Sequence, residues 1–101
     1  MRLSTQQVET LKRVSMEIFG PESSLLLFGS RVDNYRRGGD IDLYVIGFDR
    51  TVEQQLDARL RFLVKVKREL GDQRIDVVFA PAPGQPVLPI HRIAEQTGVR
   101  L

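Results

Sequence analysis

Two aspartates stand two positions apart at the head of a short apolar run, Asp40-Ile41-Asp42-Leu43, and a third sits inside another, Ile75-Asp76-Val77-Val78. Alternating polar and apolar residues mark the first run as an extended strand, because successive side chains on a strand point to opposite faces. Ile41, Leu43 and Val45 then share a buried face, and Asp40, Asp42 and Tyr44 share the other. On such a strand the Cα atoms of residues i and i+2 lie about 6.5 Å apart. The two carboxylates therefore converge, and Asp76 joins them if the two runs pair as neighbouring strands. Three negative groups so close repel one another strongly unless a cation offsets them.

The rest of the chain supplies one compact α/β domain around these strands. Ser4 with Gln7 three positions later is a capping-box start, and Val8, Leu11, Val14 and Ile18 follow at helical spacing up to Gly20-Pro21. Residues 24–28 form a run too short for a helix, bounded by Pro21 and Gly29, and read as a buried strand. Gly29-Ser30 turns the chain, and the polar segment 31–39 with its closing glycine pair is a loop. A long amphipathic helix is predicted over 52–70, with Val52, Leu56, Leu60, Leu63, Val66 or Lys67, and Leu70 as its stripe and Gly71 as its stop. Residues 74–79 are a third strand, which lies parallel to the one over 40–46 if both share a sheet. Ala80-Pro81-Ala82-Pro83-Gly84-Gln85-Pro86 is a stiff, extended connection. A last helix over roughly 90–96 presents Ile90, Ile93 and Ala94 on one side and closes at Gly98. The expected fold is a small mixed sheet of three or more strands flanked by helices. The apolar stripes of the long helix and of the last one can each serve as core or as an interface, including one between copies of the chain.

Length and composition narrow the possibilities. At 101 residues the chain is a single domain, too small for a catalytic domain plus a dedicated substrate domain. A hydrophobic fraction of 42% and a charged fraction of 28% are those of an ordinary globular protein. No apolar stretch approaches a membrane span, and the start of the chain lacks the apolar centre of a signal peptide, so a cytoplasmic protein is expected. The absence of cysteine excludes disulfides, thiolate nucleophiles and zinc-thiolate sites. The net charge of +2 comes from bases interleaved with acids rather than from a basic stripe, which argues against nucleic acid as a partner. His91, the only histidine, reads as a surface or packing residue.

The pattern Leu27-Phe28-Gly29-Ser30-Arg31, nine residues, Asp40-Ile41-Asp42-Leu43, with Asp76 on a following strand, resembles the minimal nucleotidyltransferases of the polymerase-beta-like superfamily. The match runs from the first helix through the third strand, and the whole chain, 1–101, has the length of the minimal form. Such a resemblance implies that Asp40, Asp42 and Asp76 are the catalytic and metal-holding residues, with two Mg²⁺ ions as cofactors. It further implies that Asp76 helps to deprotonate the acceptor hydroxyl, and that Gly29, Ser30 and Arg31 hold the phosphates of a nucleoside triphosphate such as ATP. The residue types suit that chemistry: carboxylate oxygens are the ligands Mg²⁺ prefers, and a glycine lets backbone N–H groups approach a phosphate closely.

Members of that family this small commonly act with a helical partner of the HEPN type, a toxic ribonuclease whose antitoxin is the nucleotidyltransferase. The leading expectation is therefore transfer of AMP from ATP to a hydroxyl on such a partner protein. One alternative is a non-catalytic module that neutralises its partner by occupancy, although a pure binder would gain stability by losing the three acids. Another is nucleotidyl transfer to RNA or to a small molecule, against which the lack of an appended substrate domain weighs.

Overall fold

The computed structural model describes residues 3–29 and 41–101. Among these, three helices and four strands follow one another as α1 (Thr5–Phe19), β1 (Ser24–Phe28), β2 (Ile41–Ile46), α2 (Val52–Leu70), β3 (Ile75–Phe79), α3 (Pro89–Thr97) and β4 (Val99–Arg100). The strands make one mixed sheet in the order β3-β2-β1-β4. β1 runs antiparallel to both of its neighbours, whereas β2 and β3 are parallel, as a strand-helix-strand crossover demands.

Local chemistry explains where the two long helices begin. Ser4 Oγ accepts the Gln7 N–H at 3.1 Å while Gln7 Oε1 accepts the Ser4 N–H at 2.8 Å, so two otherwise orphaned donors are satisfied. Thr51 and Gln54 repeat the reciprocal pair at the head of α2, both bonds at 3.1 Å. Each helix stops at a glycine with positive φ, Gly20 for α1 and Gly71 for α2, and the cap N–H returns to the carbonyl of Met16 or Lys67.

The main core lies between one face of the sheet and the pair α1–α2. Leu25 and Leu27 of β1, Ile41, Leu43 and Val45 of β2, and Ile75 and Val77 of β3 point into it. α1 contributes Leu11, Val14 and Phe19, and α2 contributes Ala58, Phe62 and Val66. At one end four aromatic rings meet: Phe19 stacks on Phe62 at 5.1 Å and meets Phe48 and Phe79 edge-on at 5.4 and 5.6 Å. α1 and α2 are also tied at their surface, where Arg13 bridges to Glu69 and Lys65 to Glu17.

The second face of the sheet is covered by α3. Phe28, Tyr44 and Ala94 form a smaller cluster there, with Leu26, Val78 and Ala80 packed against it. Here the inward face differs from the expected one, because α3 buries His91 and Ala94 and leaves Ile90 and Ile93 half exposed. The reason is that His91 satisfies its own polarity locally: its Nδ1 accepts the Leu88 N–H at 3.0 Å, and its ring lies against Tyr44 at 6.1 Å.

Two further features depart from expectation. α2 turns Ala58, Phe62 and Val66 inward, not the row Val52, Leu56, Leu60, which is solvent-exposed. Phe62 decides this, since its ring completes the aromatic group around Phe19 and a helix cannot turn both faces inward. The chain also does not end with α3: Val99 and Arg100 form β4, paired to Leu27 and Leu26, and the Leu101 N–H donates to the Leu25 carbonyl at 3.0 Å. Gly98 makes the approach possible, as a Cβ there would lie 2.4 Å from the Ala94 carbonyl oxygen and 2.9 Å from a Leu26 methyl.

Because Phe62 is fully buried and joins α2 to both α1 and the aromatic group, Phe62→Ala is expected to lower the unfolding free energy by about 3–5 kcal/mol. Urea denaturation followed by circular dichroism measures it.

Candidate functional site

The sheet register places Asp42 and Asp76 side by side. Asp42 of β2 pairs with Asp76 of β3 in the parallel ladder and with Phe28 of β1 in the antiparallel one. Residues paired across a ladder point to the same face, with neighbouring strands about 4.8 Å apart. Both carboxylates therefore leave the face that α3 covers further along, at the end of the sheet where β1 finishes and β2 and β3 begin. Asp76 is exposed and Asp42 half-buried. The next row on that face, Leu26, Tyr44 and Val78, is apolar and lies in the smaller cluster. An open acidic row thus borders a closed aromatic one.

Gly29 follows β1 directly and lies against the acids. Its φ is +78°, and a Cβ built on it would fall 2.3 Å from Asp42 Oδ2. Any other residue is strained there by the left-handed backbone and requires the Asp42 carboxylate to shift. The glycine therefore brings the backbone at the end of β1 as close to the carboxylate as van der Waals contact permits. Of the sequence-predicted site residues, Asp42, Asp76 and Gly29 are brought together. Asp40, Ser30 and Arg31 lie outside the described residues.

Two oxygen-donor side chains on adjacent strands match what a divalent cation such as Mg²⁺ takes from a protein, one or two carboxylates with water or substrate oxygens completing the set. Among the described residues no group of three acidic or histidine side chains converges, and the expected third ligand, Asp40, is not among them.

Beside Asp76 the surface opens into a depression of about 510 Å³ lined by Lys67, Asp72, Gln73, Arg74 and Ile75. Lys67 and Arg74 are not among the expected site residues, though the crossover contains the signal. A helix that returns to a parallel neighbour must bring its last turn beside the start of the next strand, and Lys67 and Arg74 occupy those two positions. A second cavity, of about 440 Å³, lies at the opposite end of α2 among Phe48, Arg50, Glu53 and Asp57, far from the paired aspartates. Arg50 sits over the Phe48 ring there, 5.2 Å from its centroid.

Tyr44 belongs to the covering of the sheet rather than to an open pocket. Its side chain is fully buried, and its hydroxyl donates to Glu95 Oε1 at 3.3 Å. Burial first, and then the Glu95 carboxylate, push the phenol up from its ordinary 10 to about 12. No helix among the described residues is long and apolar enough to cross a membrane.

No protein-family model matches this sequence, and no curated protein matches it significantly.

Gly29→Ala is expected to cost about 1–2 kcal/mol of stability from the left-handed backbone alone, with displacement of Asp42 in addition. Denaturant unfolding reads the first, and chemical-shift changes at Asp42 read the second. A second expectation concerns alkaline pH. Below about pH 10 folded and unfolded chains both keep the Tyr44 proton; above it the unfolded chain releases the proton while the folded chain holds it up to about 12. Stability contributed by this group is therefore complete below about 10 and declines as pH rises towards about 12. In Tyr44→Phe that part of the alkaline slope should vanish from unfolding curves.

Proposed function

We propose that this chain is a metal-dependent nucleotidyltransferase of the minimal polymerase-beta-like kind, which transfers AMP from ATP to a hydroxyl of a partner protein. The observation that supports the reading most is the in-register pairing of Asp42 with Asp76 on one open face, with Gly29 packed against the Asp42 carboxylate. The sequence pattern around Gly29-Ser30 and Asp40-Ile41-Asp42 supplies the rest.

In this reading Asp40 and Asp42 hold two Mg²⁺ ions, and Asp76 shares the second. When bound, the ions supply positive charge to the attacking and leaving oxygens of an in-line displacement at phosphorus. Asp76, the more exposed of the described pair, faces the acceptor and takes the proton from its hydroxyl. The acceptor oxygen then forms a bond to the α-phosphorus as the bond to the bridging oxygen breaks, and pyrophosphate leaves with that electron pair. Gly29 lets the turn after β1 reach the triphosphate with its backbone, and Ser30 and Arg31 contribute a hydroxyl and a positive charge to the leaving pyrophosphate. Asp42 orients this end of the site because its own carboxylate abuts the glycine.

The acceptor follows from size. With one face of the sheet committed to α1 and α2 and much of the other to α3, little surface remains for recognising a large substrate. A separate protein that brings its own hydroxyl to Asp76 fits this economy. A helical ribonuclease toxin of the HEPN type, with this chain as its antitoxin in the cytoplasm, is the partner we infer.

Purified chain incubated with Mg²⁺, α-labelled ATP and a co-expressed helical partner should transfer label to the partner. Asp42→Asn and Asp76→Asn should each lower the rate about 100-fold or more, the scale for losing charge stabilisation at a transferring phosphoryl group. Mg²⁺ should raise the melting temperature of the wild type more than that of either variant. Transfer at undiminished rate in both variants removes the activity from these residues. Neutralisation of the partner that survives both substitutions favours occupancy instead.

A further inference from the structure

α2 carries an apolar row on the side away from the core. Val52, Leu56, Leu60 and Val64 are 63%, 56%, 62% and 44% exposed, each four residues from the next. Residues four apart lie along one ridge of a helix surface. α1 packs against a different side of α2, the side of Lys65 and Glu69, so the ridge faces open solvent.

The charges on the ridge are arranged about its centre. Glu53 lies seven residues before Leu60 and Lys67 seven after, and a heptad returns a helix to within about 20° of the same direction. Glu53, Leu60 and Lys67 therefore stand on one line along α2, with Leu56 and Val64 four residues to either side of Leu60. Of the other charges on the helix Asp57 pairs with Arg61, Lys65 with Glu17 and Glu69 with Arg13, whereas Arg59 and Arg68 make no ion pair among the described residues, and Arg68 lies opposite Val52 when Leu60 is the centre. Glu53 and Lys67 make no ion pair among the described residues.

We propose that this ridge is the interface of a two-fold symmetric dimer in which α2 of one copy packs antiparallel on α2 of a second copy. With the axis at Leu60, that leucine meets its own counterpart, Leu56 meets Val64, and Glu53 meets Lys67 twice. Such self-complementarity is what an isologous interface requires. A parallel arrangement sets Glu53 on Glu53 and Lys67 on Lys67 and is repelled at both ends. A foreign partner needs no such symmetry about one residue. A shallow crossing keeps residues seven positions from the axis within reach of each other. The inference is independent of the proposed transferase activity.

Sedimentation equilibrium on the purified chain tests it. The wild type should be dimeric and Leu60→Asp monomeric, with circular dichroism showing that the variant, altered at an exposed site, keeps its fold. Glu53→Lys and Lys67→Glu, each of which makes like charges face across the axis, should raise the dissociation constant about tenfold or more. Glu53→Lys combined with Lys67→Glu restores opposite charges and should recover most of the wild-type affinity. A monomeric wild type overturns the proposal and leaves the ridge to a different protein. So does a dimer that survives Leu60→Asp, or a double variant that binds no more tightly than the single ones.

Discussion

The parallel pairing of β2 with β3 governs both the core and the candidate site. On these strands Ile41, Leu43, Val45, Ile75 and Val77 face α1 and α2, and the alternation leaves Asp42 and Asp76 on the other face. A slip of β3 by one residue would turn Asp76 into the main core, where an unpaired carboxylate costs several kcal/mol. The hydrophobic pattern that fills the core thus also brings the two acids side by side. Parallel neighbours need a crossover, and α2 provides it, held down by Phe62 against Phe19. The four phenylalanines that meet at the far end hold α2 in place and so support this pairing.

On the other face α3 divides the sheet into two environments. Where it packs, Tyr44 is sealed with its hydroxyl on Glu95, and the phenol stays protonated well above its usual range. Along the neighbouring row Asp76 is open to water and Asp42 is half-buried. Like charges directly opposite one another destabilise a sheet by roughly 0.2–1 kcal/mol, and a cation between them offsets that cost. An apolar pair at positions 42 and 76 would extend the Phe28–Tyr44 cluster instead. The chain forgoes that gain at the two positions where Gly29 also gives up its side chain.

Much of this was legible before any coordinates. Strand positions followed from short apolar runs between turn residues, the start of α1 from the Ser4–Gln7 spacing and the ends of the two long helices from Gly20 and Gly71, whereas the Thr51–Gln54 cap at the head of α2 emerged only from the structure. The alternation at 40–46 assigned Asp42 and Ile41 to opposite faces, and the register bears this out. What periodicity could not decide was which of two apolar faces of a helix turns inward. α2 has one at Val52, Leu56 and Leu60 and another at Ala58, Phe62 and Val66, and only the aromatic partners of Phe62 select between them. On α3 the expected Ala94 is buried, but His91, read as a surface or packing residue, packs inward in place of Ile90 and Ile93, with its Nδ1 accepting the Leu88 N–H. β4 escaped because two residues carry no period, and its strand character comes from β1 beside it.

The surface that remains unpaired lies mostly on the outer sides of α2 and α3, and Lys67 connects it to the acids. Its side chain lines the depression beside Asp76 and also closes the charged end of the α2 ridge. A cation at that place adds positive charge beside the paired aspartates, which in the proposed reaction would favour an approaching phosphate. In the proposed antiparallel dimer Glu53 of the second copy would face that charge. Arg74 lines the same depression. The last turn of the crossover helix is thereby a place where the proposed assembly and the acidic row would act on the same charge.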